Sequence, residues 1–247
     1  MALELSAIEG LPEVGRGDDL ASLIAERAQL EDGDVVVIAQ KAVSKAEGRV
    51  RSLSEVTPGE RARELAAELG KDPAVVELIL AESRSVVRAE QGVLIVETNS
   101  GWICANAGID ASNVVGADAV VLLPADPDAS ARRIRSGLRK AAGVAPAVVI
   151  SDSFGRPWRL GQTDVAIGCA GLLPLHDWRG RADRDGRALA ATVIAVADQL
   201  TAAADLTRDK TSGSPVVRIR GAAQLVSEED GPGAAALQRP PGEDLFR

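Results

Sequence analysis

The sequence predicts a mixed fold of helices and strands. Two features of its patterning and one absence predict it. Short runs rich in Val and Ile, DVVVIAQK, AVVLLP and AVVISD, read as buried strands. Between them lie segments with apolar residues every three or four positions, the period of a helix with one buried face. There is no GxxxxGK[ST], and GRGDDL near the start has two glycines without the third and follows no strand. A P-loop or a dinucleotide-binding unit is therefore not expected.

The elements follow in order. GDDLASLIAERAQL is a helix with Leu20, Leu23, Ile24 and Ala28 on one face and Asp18 or Asp19 at its start. GERARELAAELG and DPAVVELILAES are two further helices, the second with Asp72 as N-cap and Pro73 in the first helical position. VLIVET and GWICAN pair around the turn Asn99-Ser100-Gly101. DPDASARRIRSGLRKAAG is a helix that turns Ala131, Ile134, Leu138 and Ala141 inward. AVVISD is a strand that stops at Ser151-Asp152-Ser153, before DVAIGCAG. An Ala-rich helix around ALAATVIAVADQLTAAADL and the strand PVVRIRG complete a domain over residues 1–226. Residues 227–247, rich in Gly, Pro and charge, read as a linker-like or disordered tail.

Composition narrows the function. Hydrophobic residues make up 46% of 247, enough for a full core, but aromatics are only 2% and Tyr is absent, so that core is built from Val, Leu, Ile and Ala. The net charge of −8 argues against a nucleic-acid partner. No apolar run reaches the roughly 20 residues of a bilayer span, and MALELSAIEG lacks the pattern of a signal peptide. No membrane association and a cytoplasmic location are expected. Cys104 and Cys169 form no CxxC pair and are expected reduced and packed. The single histidine, His176, cannot build a zinc site. A metal here would be a hard cation held by oxygen.

What remains is a set of polar residues at the ends of apolar segments. Lys41, Ser44 and Lys45 follow VVVIAQ. Asp110 and Asn113 follow GWICAN. Asp152 and Ser153 end AVVISD, and Lys210, Thr211, Ser212 and Gly213 precede the last strand. Asp and Asn are ordinary turn formers, and the lysines suit a solvated helix face. Together, however, two carboxylates with lysines and a Gly/Ser/Thr loop are the components of a site for a metal-bound nucleotide phosphate.

GLPEV at 10–14, VVVIAQKAVSKAEGRV at 35–50, NAGIDASNV at 106–114, ISDSFGRPWRLGQTDVAIG at 150–168 and the closing KTSGSPVVRIRG resemble the coenzyme F-420:L-glutamate ligase family (the F-420-0 gamma-glutamyl ligases) over about residues 5 to 221. The resemblance implies an α+β fold of mixed and antiparallel sheets with packed helices, particular to the family, in a homodimer. It implies a GTP-dependent ligase that joins L-glutamate to a deazaflavin precursor through an acyl phosphate, with Mg²⁺ or Mn²⁺ and with K⁺ as a further cation. The family's metal positions fall on Asp110, Asp152 and Ser153. Its GTP contacts fall on Leu11, Pro12, Glu13 and Val14; on Gln40, Lys41 and Lys45; on Asn113; and on the run Arg208, Asp209, Lys210, Thr211, Ser212, Gly213, Ser214, Pro215. Lys45 and Asp152 are the expected catalytic pair, and Arg156 and Arg159 are candidates for the anionic substrates. Two departures stand out. Gln40-Lys41 replaces two small hydroxyl residues of archaeal relatives, and Lys210 replaces a metal-binding Gln. The tail also resembles the join to a flavin-binding domain in actinobacterial relatives. That leaves open a ligase domain of a larger bifunctional enzyme, weakly active alone, or a ligase for another carboxylate.

Overall fold

The computed structural model describes residues 2–110, 118–208 and 213–245. The first half of the chain contains β1 (Glu4–Ala7), α1 (Leu20–Ala25), β2 (Val35–Ala39), α2 (Gln40–Ala46), β3 (Val50–Ser52), α3 (Glu60–Leu69), α4 (Pro73–Ala81), β4 (Ser83–Glu90), β5 (Val93–Thr98) and β6 (Ile103–Ala105). The second half contains β7 (Ala119–Val121), α5 (Pro127–Ala142), β8 (Ala147–Arg156), β9 (Arg159–Ala170), β10 (Leu175–Asp177), β11 (Val193–Ala195), α6 (Val196–Asp205) and β12 (Val216–Arg220). The fold is α+β, as expected.

The central sheet has the order β1-β12-β2-β8-β9. Only β2 and β8 run parallel; the other pairs are antiparallel. Both faces of β2 are covered, which is why VVVI is apolar without alternation. Val36 and Ile38 face a core built with Leu20 and Ile24 of α1 and Ile134 and Leu138 of α5. Val35 and Val37 face a second core with Val196, Leu200 and Ala204 of α6. A third core joins α3 and α4 to the three-stranded sheet β4-β5-β6 through Leu65, Val76, Ile79, Leu94 and Val96. Asp19 caps α1, and Asp72 caps α4 ahead of Pro73.

Several elements differ from expectation. β8 does not stop at Ser151-Asp152-Ser153. It continues to Arg156, paired with β9 in a ribbon whose tip, from Gly155 to Gln162, is exposed and mostly polar. β4 escaped the sequence pattern because it is an edge strand with five consecutive exposed residues. The Ala-rich helix begins only at Val196, after the short strand β11. Ala141, expected inward, is exposed with the rest of the last turn of α5.

Residues 227–245, expected as a linker-like or disordered end, lie against the domain. Asp128 in the first turn of α5 anchors them. Its carboxylate accepts the backbone N–H of Cys169 on β9 (2.8 Å) and those of Ala234 (2.7 Å) and Ala235 (3.1 Å). A Cβ at Gly233, whose φ is +85°, would collide with that carboxylate. Arg135, buried in α5, adds an ion pair to Asp230 (2.7 Å) and a bond to the Ser227 carbonyl (2.6 Å). Asp128→Ala leaves three N–H groups without their acceptor. It is expected to lower stability by about 1–3 kcal/mol and to speed protease cleavage between 227 and 245, read by denaturant melts and by mass analysis of the fragments.

Candidate functional site

β2 and β8 run parallel, so their C-terminal ends lie side by side, and the apolar runs give way to polar residues at the same end of the sheet. α2 begins at Gln40, directly after β2, and Lys41 and Lys45 lie four residues apart on one of its faces. Pro12, Glu13 and Val14 border them. Gly213, Ser214 and Pro215 approach from the start of β12, fixed there by a 2.8 Å bond from the Ala39 N–H to the Pro215 carbonyl. Asp205 and Arg208 come from the end of α6, and Asp110 from the segment after β6. The space between them is a cleft of about 660 Å³.

Opposite charges are interleaved around it. Lys41 Nζ lies 2.6 Å from Asp110 Oδ2. Lys45, largely buried, is ion-paired with the exposed Glu13. Gln40 is itself buried and accepts the Ser44 hydroxyl at 2.9 Å. On β8 the side chains alternate, so Ser151 and Ser153 share one face of the strand and Asp152 takes the other. Burial pushes the Asp152 carboxyl up to about 7; the nearby Asp164 and Asp110 charges add to this, and the Ser153 N–H and Lys41 oppose it. Two carboxylates near a third, one of them reluctant to ionise alone, form a donor set that a hard cation would stabilise. Among the described residues no three Asp, Glu, His or Cys side chains form a complete metal cluster. A hard cation such as Mg²⁺ takes one or two carboxylates and completes its shell with water and phosphate oxygens. Asp110 and Asp152 are the residues that would hold it.

The structure brings most of the expected residues to this cleft: Pro12, Glu13, Val14, Gln40, Lys41, Lys45, Asp110, Asp152, Ser153, Arg208, Gly213, Ser214 and Pro215 all line it. Leu11 instead packs against the core beside α1. Arg156 and Arg159 are not in the cleft wall. They sit at the exposed tip of the β8–β9 ribbon, where Arg156 bonds the carbonyl of Leu160 at 2.7 Å. Asn113, Asp209, Lys210, Thr211 and Ser212 lie outside the described residues.

Sequence reasoning missed Asp164 and Asp205. Asp164 faces Ser153 across the ribbon, buried, with its oxygens accepting the hydroxyls of Ser151 (2.8 Å) and Ser153 (2.7 Å) and an ion pair from Arg208 (2.6 Å). The signal was there in ISDS and QTD on two strands of one hairpin. A simple count from the turn fails, because Arg156 pairs with Arg159 but Gly155 with Gln162, so Leu160 and Gly161 bulge out. Cys104 and Cys169 are free and buried, as expected. Burial raises both thiols to about 12, with Asp152 adding to the effect at Cys104 and Asp128 at Cys169.

Comparison with known proteins places the chain in a family. The model of the F420-0:Gamma-glutamyl ligase family matches residues 10–221. The chain belongs to that family. It is 47% identical to the coenzyme F420:L-glutamate ligase of Haloarcula marismortui, covering 99% of this chain and 96% of that one. It is 46% identical to the enzyme of that name from Methanothermobacter thermautotrophicus over the whole of both, and 41% identical to that of Methanocaldococcus jannaschii over 100% and 96%. The ligase thus matches these relatives from end to end. No helix among its described residues is long and apolar enough to cross a membrane.

The Asp152 carboxyl gives a pH signature. Its folded pKa of about 7 lies above the ordinary value of 3.8, so the folded protein holds a proton that the unfolded chain releases. In metal-free protein this contribution to stability is complete below pH 4 and is lost as the pH rises through 7. Asp152→Asn is expected to raise the melting temperature of metal-free ligase at pH 8, with a gain that shrinks toward pH 4. A gain that does not change with pH would overturn the assignment.

Proposed function

We propose that the ligase joins L-glutamate to the deazaflavin precursor of coenzyme F420 at the expense of GTP, through an acyl phosphate. The observation that carries this reading is the cleft. Lysines, carboxylates and a glycine-containing loop meet at the end of two parallel strands, in a chain of this family. The relatives are named for coenzyme F420 and L-glutamate, and the family model for F420-0, which supports this choice of substrates.

The chemistry follows from the problem the reaction poses. A carboxylate does not condense with an amine at neutral pH, because its oxygen is a poor leaving group. In the first step a carboxylate oxygen of the precursor attacks the γ-phosphorus of GTP. The bond to the bridging oxygen breaks and GDP leaves. In the second step the glutamate amine attacks the acyl carbon, phosphate departs with the bonding electrons, and the amine loses its proton. Both reactants of the first step are anions, so catalysis rests on positioning and charge neutralisation. Lys45 and Lys41, on one face of α2, supply positive charge to the phosphates; the pairs they make with Glu13 and Asp110 are the resting partners they would exchange for substrate. Mg²⁺ or Mn²⁺ at Asp110 and Asp152 would screen the phosphate oxygens when bound. K⁺ is a further expected cation, and no residue here is assigned to it.

Mass spectrometry of deazaflavin products after incubation with GTP, Mn²⁺ and glutamate tests the reading. Products heavier by one or more glutamate residues are expected, with GDP and phosphate released in proportion. Asp152→Asn is expected to lose at least ~100-fold in rate while remaining folded. Product formation that is equal without GTP would reject the nucleotide, and activity within a few-fold in Asp152→Asn would reject the metal assignment.

A homodimer is part of the same proposal. Val86 and Val87 on the edge strand β4, Val93 on β5 and Ile103 on β6 leave apolar side chains exposed on one small sheet. Light scattering is expected to give about twice the 25.6 kDa of the chain; a species of the single-chain mass would contradict it.

A further inference from the structure

Asp164 is a heavily engaged carboxylate in the cleft wall. It is 4% exposed. Arg208 donates from Nη2 to its Oδ2 at 2.6 Å and to the Ser151 hydroxyl at 2.9 Å. The Ser151 hydroxyl donates to Oδ2 and the Ser153 hydroxyl to Oδ1. The Asp164 main chain is tied down too, with its carbonyl accepting the Thr201 hydroxyl of α6 at 3.0 Å. The result is a closed link between the β8–β9 ribbon and the end of α6.

This link does more than fill space. A buried ion pair is weak evidence for stability, because desolvation offsets most of its attraction. Here it has a directional consequence. Arg208 is held through Nη2, its Nε is buried with no hydrogen-bond partner among the described residues, and the residue lines the cleft. A guanidinium has five donors in a planar fork, so one edge fixed on a carboxylate leaves others for a second anion. Fixing the fork before the anion arrives removes the cost of ordering a long side chain from binding. Asp164 also accepts the protons of both serine hydroxyls, so each hydroxyl oxygen can act only as an acceptor toward a further group.

We propose that Asp164 is a positioning residue of the ligase: it clamps Arg208 through Nη2 so that the rest of the guanidinium meets a phosphate of the nucleotide in the cleft. This rests on the GTP reading above. It goes beyond it by naming a carboxylate that touches no substrate and acts through Arg208.

The test is steady-state kinetics and thermal melting of Asp164→Asn, Arg208→Gln and the double variant. Asp164→Asn keeps the shape but removes the charge and turns an amide toward the guanidinium. Its KM for GTP is expected to rise about 10- to 100-fold, the range spanned by loss of one charged contact, with the KM for glutamate within about 2-fold of wild type. Arg208→Gln should do the same. The double variant should be no worse than Arg208→Gln alone, because the two residues act as one unit. A purely structural role would lower the melting temperature and leave the KM for GTP in place. A KM for GTP within 2-fold of wild type in folded Asp164→Asn, or effects that add in full, would overturn the proposal. Should Asp164→Asn not fold, Arg208→Lys decides. An ammonium still pairs with Asp164 but has no second edge, so a raised KM with an unchanged melt supports the clamp and an unchanged KM rejects it. Wild type without GTP-dependent turnover would overturn the nucleotide reading and this proposal together. Active wild type with unaffected variants would overturn only the role of Asp164.

Discussion

The parallel pairing of β2 with β8 is the constraint on which the rest of the structure depends. Val35 to Ile38 and Ala147 to Ile150 are fully buried. Each Val or Ile so buried contributes roughly 1.5–3 kcal/mol relative to exposure, so neither strand tolerates a polar side chain along this stretch. Polarity can begin only where the covering helices end. Because the strands are parallel and in register, with Ala39 beside Ser151, it begins at the same place on both. Gln40 and Lys41 on one side and Ser151, Asp152 and Ser153 on the other are neighbours for that reason. An antiparallel pair would have sent them to opposite ends of the sheet.

Electrostatics then decides how a cleft with so many acids stays folded. Asp110, Asp152 and Asp164 repel one another, and the rise of Asp152 to about 7 records that repulsion on top of burial. Two of the three have direct cationic partners, Lys41 on Asp110 and Arg208 on Asp164. The division of labour is physical. Asp164, with a buried arginine and two hydroxyls, is satisfied and rigid. Asp110 is paired with a lysine whose ammonium is a compact charge on a flexible stem, a partner that can be exchanged. Burial and the Asp164 and Asp110 charges raise the Asp152 carboxyl to about 7, and a bound cation would favour its ionised form.

The C-terminal segment belongs to the same economy of contacts. Its composition is that of a linker, yet Asp128 gathers two of its N–H groups and one from β9, and Arg135 takes a carboxylate and two carbonyls from residues 227–230. Both anchors sit on α5, the helix that also covers β2 and β8. Composition reports the average affinity of a segment for water. It does not report a single half-buried acid that satisfies three backbone donors.

The sequence by itself determined α1, α3, α4 and α5 with the caps of α1 and α4, the apolar strands, the reduced cysteines, the exclusion of P-loop and dinucleotide motifs, and the family. Each of these is written in local patterns, where apolar period, capping residue and motif spacing act over a few neighbours. α2, whose first residues read as the end of the strand before it, was not legible. Lys41, Lys45, Asp110 and Asp152 were legible as polar ends of apolar runs. Only the tertiary structure decided that β8 continues beyond Asp152, that Arg156 and Arg159 turn away at the ribbon tip, and that Asp164 closes on Arg208. These depend on register across a bulged hairpin and on where α6 ends against it. A shift of one residue in either would exchange the faces of the ribbon, and no local pattern in the chain fixes that pairing.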